Sequence, residues 1–202
     1  AQPKRIFITG GAGFIGSRLA ENLARANAVT VYDNFHPQAH DGNEGNHARL
    51  SSVTIVRGDV TNAGELTAAI KAADPHLIYH LAAETGTGQS FDLPARYTHV
   101  NVMGTTHLIE AARAHAPSLR RIVLAGSRSV YGEGACVDAT GCATPAMART
   151  AEDRGRGDFA PKSAYGGPLT PVKPNQRLVV GAASAYASAG VVLKGVSDGG
   201  GG

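Results

Sequence analysis

The stretch Arg5-Ile6-Phe7-Ile8-Thr9-Gly10-Gly11-Ala12-Gly13-Phe14-Ile15-Gly16 decides how this chain folds. Arg5 to Thr9, largely apolar and bounded by glycine, reads as a buried strand, and Phe14 to Ala26 carries Ile15, Leu19 and Leu23 on one helical face. Between them, Gly11-x-Gly13-x-x-Gly16 turns strand into helix. That spacing alone is weak, but placed after a strand, opening a helix and inside a strand-helix-strand unit it marks a dinucleotide-binding turn. Main-chain N–H groups must approach a pyrophosphate with no Cβ in the way, and the helix N-terminus adds partial positive charge. Gly10, Gly13, Phe14, Ile15 and Gly16 are therefore assigned to the dinucleotide; the bland alternative is a tight turn and nothing more.

Outward from the turn, Val29 to Tyr32 is a second strand, ending at Asp33, about 20 residues beyond the glycines. A carboxylate there would accept hydrogen bonds from the adenosine ribose and repel a 2′-phosphate, so NAD is expected rather than NADP. The competing reading of Asp33 is a turn former. Val53 to Val56 and His76 to Leu81 read as further strands, separated by a helix from Asn62 to Ala73 that stops before Pro75. A long helix is expected from about Ala95 to His115, then a fifth strand from Arg121 to Ala125. This alternation predicts an α/β fold with a doubly wound parallel sheet, the Rossmann fold. The dinucleotide-binding core is placed at residues 1–134. From 135 to 176, Gly, Pro, Ala, Thr and scattered charge replace periodicity, which reads as an irregular insertion. Residues 177–198 read as a last helix (Leu178 to Ala189) and strand (Gly190 to Leu193) of the same domain, and 199–202 as a glycine tail.

Composition narrows the function. The net charge of +3 comes from scattered basic residues without a run of like charge, which argues against a nucleic-acid face. Cys136 and Cys142 have no C-x-x-C spacing and read as ordinary thiols. No apolar stretch approaches the roughly 20 residues of a membrane span, and the first strand begins too early for a signal peptide, so a cytoplasmic location is expected.

Several spaced motifs share a pattern. Thr9 to Ser17, Asp33-Asn34, Gly58-Asp59-Val60, His80-Leu81-Ala82-Ala83 and Asn101-Val102-x-Gly104-Thr105 resemble the extended short-chain dehydrogenase/reductases, specifically the nucleotide-sugar epimerases and dehydratases, over about residues 4–134. Glu84 to Ser90 and Ser127 to Gly134 look most like 4-epimerases acting on sugars such as UDP-glucose or dTDP-rhamnose. The resemblance implies that Asp59 and Val60 flank the adenine, that Leu81, Ala82 and Ala83 line the back of the cofactor, and that Asn101 helps hold the nicotinamide half. Asn34, beside Asp33, is assigned to the cofactor as well. Ser127 takes the place of the family's catalytic Ser/Thr. It follows the fifth strand, at the carboxyl edge where ligands of open α/β folds gather, or it is only a strand-ending hydroxyl. Thr85 and Ser129 fit that role less well. A nucleotide-sugar substrate and a homodimer packed through the helix near Ala95 to His115 are further expectations of the resemblance.

One motif is missing. The family's chemistry uses Tyr-x-x-x-Lys, in which the lysine and the oxidised ring lower the phenol's pKa so that tyrosinate removes a sugar hydroxyl proton. Four residues after the six tyrosines come His36, Ala83, Asn101, Ala135, Leu169 and Gly190, so none has its lysine. Tyr165 to Leu169 would put Pro168 inside the required helix turn. The better match is Val179 to Ser184, with Val180 and Ser184 in place of tyrosine and lysine. Two expectations therefore stand side by side: an NAD-dependent nucleotide-sugar 4-epimerase/dehydratase-type oxidoreductase with its substrate domain reduced or absent, or a catalytically silent NAD-binding module.

His36, His40 and His47 lie in a polar loop without metal-ligand spacing and read as solvated rather than as zinc ligands. Glu84, His99 and His107 read as packing residues.

Overall fold

Two layers of helix cover the faces of one parallel sheet in a computed structural model of the chain, which describes residues 2–40, 46, 48–86, 88–127 and 134–173. The strands are β1 (Arg5–Thr9), β2 (Ala28–Asp33), β3 (Thr54–Arg57), β4 (Leu77–His80) and β5 (Arg121–Leu124), in the order β3-β2-β1-β4-β5. All four pairings are parallel. The chain builds outward from β1 to β3, then returns to the other side of β1 with β4. This reversal is the topological switch point at which open α/β sheets bind ligands.

Alternation along β1 divides the core. Phe7 joins Tyr32 and Ile78 on one face, covered by Leu66 and Ile70 of α3 (Ala63–Ala73) and Leu108, Ala111 and Ala112 of α6 (Gly104–His115). Ile6 and Ile8 join Val29 and Val31 on the other, with Ala20 of α1 (Phe14–Ala24) and Leu50. Each large apolar side chain so buried contributes roughly 1.5–3 kcal/mol. Local chemistry sets the helix ends: Asn62 caps α3 by accepting from Glu65 N–H at 3.2 Å, and Asp74 closes it in the left-handed region with φ +35°. That strained residue is held by Arg5 (2.6 Å) and by the Ser118 hydroxyl (2.7 Å) on its carboxylate.

The structure departs from the sequence reading in two places. The helix expected over Ala95 to His115 is three pieces: α5 (Pro94–Thr98), a π-helical turn (His99–Met103) and α6, preceded by α4 (Gln89–Asp92). Apolar periodicity does not reveal a π turn, because one extra residue per turn still keeps a buried face. The stretch read as irregular holds an antiparallel pair, β6 (Ala135–Val137) with β7 (Thr170–Val172), and a short helix α7 (Ala151–Gly155) closed by a Thr150–Asp153 capping box. Three-residue strands are too short for an alternation to show. Another short helix, α2 (Pro37–His40), follows β2. The expected helix Leu178 to Ala189, with its Val179 to Ser184 motif, the strand Gly190 to Leu193 and the tail 199–202 lie outside the described residues, as do His47, Ser129 and Tyr131.

Candidate functional site

A cavity of about 470 Å³ opens at the carboxyl ends of the strands, over the switch point between β1 and β4. Gly10, Gly13, Phe14, Ile15 and Gly16 form its floor. Gly10 adopts φ +66°, and a Cβ there would lie 2.7 Å from Ala82 N. A Cβ at Gly16 would collide with the Gly10 carbonyl oxygen and come within 2.6 Å of Gly11 Cα. The protein's own packing requires both glycines. Gly13 is different: its φ of −70° suits any residue, and a Cβ would meet only Gly10 O at 3.4 Å. Its missing side chain leaves a hollow on the cavity floor. Gly13 also caps α1 with no side-chain hydrogen bond, and the first turn holds no acidic residue. Helix geometry leaves the N–H groups of Phe14, Ile15 and Gly16 without intrahelical partners, beside that hollow. Phe14 and Ile15 are exposed, and the Arg18 guanidinium stacks 3.9 Å over the Phe14 ring.

Asp33 lines the cavity as the sequence reading places it, yet it is buried and already engaged. Its Oδ2 accepts from Ala12 N–H at 2.9 Å, bracing the glycine turn, while Oδ1 accepts from Phe35 N–H at 2.9 Å and lies 3.2 Å from His40 Nε2. His40 is therefore not the solvated loop residue the sequence suggests, because the turn after β2 folds it back onto the carboxylate. Asn34 donates to Asp59 Oδ2 at 2.7 Å. Burial alone would raise the Asp59 carboxyl, but hydrogen bonds from Thr61 N–H (2.9 Å), the Asn34 amide and the Thr61 hydroxyl (2.7 Å) outweigh it and hold the group below the usual carboxylate range. Val60 follows on the same wall. Tyr32 lines the cavity too, its hydroxyl donating to Asp59 O at 3.0 Å. Burial first, then the charges of Glu65 and Asp59, push its phenol up to about 12, so it is no tyrosinate at neutral pH.

Leu81, Ala82 and Ala83 line the opposite wall, where the chain leaves β4. Asn101 does not line the cavity; it stands behind that wall, in the π-helical turn. Its side chain clamps Glu84, accepting from Glu84 N–H at 2.8 Å and donating to Glu84 O at 3.0 Å. π turns recur at functional sites, and this one aims an amide at the wall. Ala125 and Gly126, beyond β5, complete the rim, and Ser127, half-buried, is the next residue.

Sequence reasoning missed the ties across this site. Arg96 donates to Glu84 Oε1 at 2.6 Å and to His36 Nε2 at 2.8 Å, and Gln38 donates to Gln89 Oε1 at 2.8 Å. Glu84 thus pairs rather than merely packs, and His36 is held by Arg96 rather than left to solvent. The partners lie 12 and 60 residues from Arg96, beyond any local signal. His107 is placed by Val60 O, 3.2 Å from its Nδ1. Among the described residues, no group of three or more His, Cys, Asp or Glu could hold a metal ion, and no helix is long and apolar enough to cross a membrane.

Comparison with known proteins places this architecture. The chain is similar to a dTDP-L-rhamnose 4-epimerase of Burkholderia thailandensis, 47% identical over 139 residues, which is 68% of this chain and 38% of that protein. It is 32% identical over 130 residues to a CDP-paratose 2-epimerase of Salmonella typhi, covering 64% of this chain and 38% of that one. Among solved structures, a UDP-N-acetylglucosamine 4-epimerase from Methanobrevibacter ruminantium superposes with a TM-score of 0.69 at 23% identity, over 98% of this chain and 51% of the other. At that identity the likeness shows the fold. The chain thus spans between about two fifths and one half of the length of these relatives. Residues 6–167 match the model of the NAD dependent epimerase/dehydratase family, and to that family this chain belongs.

Proposed function

We infer that the cavity holds NAD and that the chain supplies the cofactor-binding part of a nucleotide-sugar 4-epimerase/dehydratase-type oxidoreductase. NAD would supply the hydride acceptor for transient oxidation of a sugar carbon. The observation that carries the reading is the hollow at Gly13. Unlike Gly10 and Gly16, this glycine is not demanded by the protein's own packing, so its bareness is explained by a group that enters the cavity against the helix N-terminus. A pyrophosphate suits that place, since the N–H groups of Phe14 to Gly16, left without intrahelical partners, can donate to it.

The other residues take roles around that anchor. Asp33 Oδ2 keeps one acceptor position for a ribose hydroxyl, while Oδ1 is filled until His40 turns away. Asp59 and Val60 bound the adenine side, with Asn34 fixing the Asp59 carboxylate. Leu81, Ala82 and Ala83 form an apolar back wall that excludes water, and Asn101 acts on it through Glu84. Ser127 would donate to or accept from a sugar oxygen beyond Gly126. The same reading takes the protein as a homodimer packed through the helical run near Ala95 to His115, and a monomer mass in solution would overturn that part.

A second reading has its own observation. No tyrosine of this chain is followed four residues later by lysine, and the one tyrosine lining the cavity among the described residues, Tyr32, is buried and stays protonated. The alternative is a catalytically silent NAD-binding module, which would forgo the roughly 10²–10⁴-fold contribution of general acid/base catalysis. One experiment separates the claims. Gly13→Ala should lower NAD affinity at least about tenfold by calorimetry while folding stability changes by less than about 1 kcal/mol. Unchanged affinity removes NAD from this floor. Wild-type protein that binds NAD but converts no member of a panel of UDP-, dTDP- and CDP-sugars at high protein concentration establishes the silent reading.

A further inference from the structure

His80 ends β4, almost wholly buried, between two buried hydroxyls. Thr9 Oγ1 lies 2.6 Å from its Nδ1 and Thr105 Oγ1 lies 2.8 Å from its Nε2. The Thr105 hydroxyl also bonds the Asn101 carbonyl oxygen at 2.8 Å, and the Thr9 hydroxyl oxygen accepts from Ala82 N–H at 3.3 Å.

Counting protons fixes every direction in this chain. A carbonyl oxygen only accepts, so the one hydrogen of Thr105 goes to Asn101 O. Thr105 then has nothing to give the ring, and His80 Nε2 must carry the proton and donate. A neutral imidazole has one N–H, which leaves Nδ1 with a lone pair. Thr9 therefore gives its hydrogen to Nδ1 and receives that of Ala82. The sequence of donors runs Ala82 N–H, Thr9 O–H, His80 Nε2–H, Thr105 O–H, ending on Asn101 C=O.

Both ends of this relay meet the cavity wall. Ala82 is itself the wall, its main chain lying against Gly10. Asn101 clamps Glu84 at the other end of the same segment. We propose that His80, as the Nε2–H tautomer, is a positioning residue that pins the segment Leu81 to Glu84 at both ends and so sets the distance between the cavity's back wall and the glycine turn. The consequence for dinucleotide affinity rests on the reading that NAD occupies the cavity; the pinning of the wall does not. Burial pushes the ring's pKa down to about 4, which keeps it neutral at physiological pH. A protonated ring would donate on both sides and leave Thr9 without its acceptor.

The test uses the whole chain and three variants. Nitrogen-15 spectra of the His80 ring at neutral pH should show a protonated Nε2 and an unprotonated Nδ1. Thr105→Val removes the acceptor of Nε2–H, so the ring should switch to the Nδ1–H tautomer, donating to Thr9. Amide exchange at Ala82 and Glu84 should then accelerate about tenfold, and NAD affinity should fall severalfold. Thr105→Ser should restore all three. Thr9→Val should speed exchange at Ala82 without changing the tautomer, and it serves should Thr105→Val not fold. A wild-type ring protonated at Nδ1, or exchange at Ala82 and Glu84 unmoved in both valine variants, overturns the proposal. If exchange and tautomer respond as stated but no variant nor the wild type binds NAD, the relay stands and the NAD reading falls.

Discussion

The sheet and the segment 134–173 are held together by different physics. In the sheet, Phe7, Ile8, Val31 and Ile78 are fully buried, and burial of apolar surface against two layers of helix supplies the stability. In the later segment only Cys136 and Leu169 are buried apolar residues among those described. Short polar ties do the work there: Asp138 accepts from Thr140 N–H at 2.9 Å and Cys142 N–H at 3.0 Å, and Lys162 bridges Asp153 (2.7 Å) and Asp158 (2.6 Å). A core built by burial tolerates salt; a segment built from exposed ion pairs does not share that tolerance.

The hardest blow to the sheet is a single methyl group. Gly10→Ala forces a positive φ on alanine and drives its Cβ into the main chain of Ala82, so unfolding free energy should fall by about 3 kcal/mol or more, read from the urea midpoint. The ties of residues 134–173 should respond only in so far as the sheet unfolds beneath them. Equal stability of the variant would mean that the glycine turn can move away from β4, and the distinction between a rigid floor and a soft appendage would fail.

Acid sharpens the contrast, because the two regions titrate in different windows. His80 is neutral when folded down to about pH 4, whereas the unfolded side chain binds its proton near 6.5. Between those values the unfolded state holds more protons, so stability falls as pH drops through the window and levels off below it, by on the order of 3 kcal/mol. The later segment behaves otherwise. The Thr140 hydroxyl, then its N–H, holds Asp138 low, and the Lys162 ammonium, then the Thr150 hydroxyl, holds Asp153 well below the usual carboxylate range. Their contribution persists above the ordinary carboxylate pKa of about 3.9 and is lost only as pH falls further. Residue-resolved amide exchange at about pH 5 should therefore show the sheet loosened and the later segment unchanged; the reverse order would refute the assignment of His80 as a neutral core residue.

The sequence made the sheet legible for the same reason that the sheet is stable. Apolar runs such as Ile6 to Ile8 are both the signal and the energy. The candidate floor was legible too, since G-x-G-x-x-G and Asp33 carry meaning at fixed spacing. What stayed hidden was whatever depends on residues far apart in the chain. Asp33 reads as a carboxylate at a strand end, but nothing local says that Ala12 and His40 already engage it. His80 lies inside an apolar strand run, and its partners come 71 residues before and 25 residues after it. The β6 and β7 pair went unseen because its register joins residues more than thirty apart with no periodicity in either strand.

The mildest perturbation concerns α7. Thr150→Ala removes the hydroxyl that accepts from Asp153 N–H at 3.0 Å, and exchange within Ala151–Gly155 should quicken roughly fivefold with no change in the urea midpoint of the sheet. A shifted global midpoint would show that the two regions unfold as one.

The wide turn at His99–Met103 has a consequence for how the chain can vary in length. Tyr97, Asn101 and Thr105 are all buried and stand four apart. In a regular α-helix each such step would rotate the next side chain about 40° further around the axis. The extra residue absorbs that drift, so the three stay aligned along one edge before the ordinary pitch resumes for Leu108 and Ala112. Replacing a side chain here alters one contact, whereas deleting a residue would wind the turn tight, swing Asn101 off Glu84 and misalign everything upstream. At this point the molecule is a ruler, and its length is a stricter constraint than its spelling.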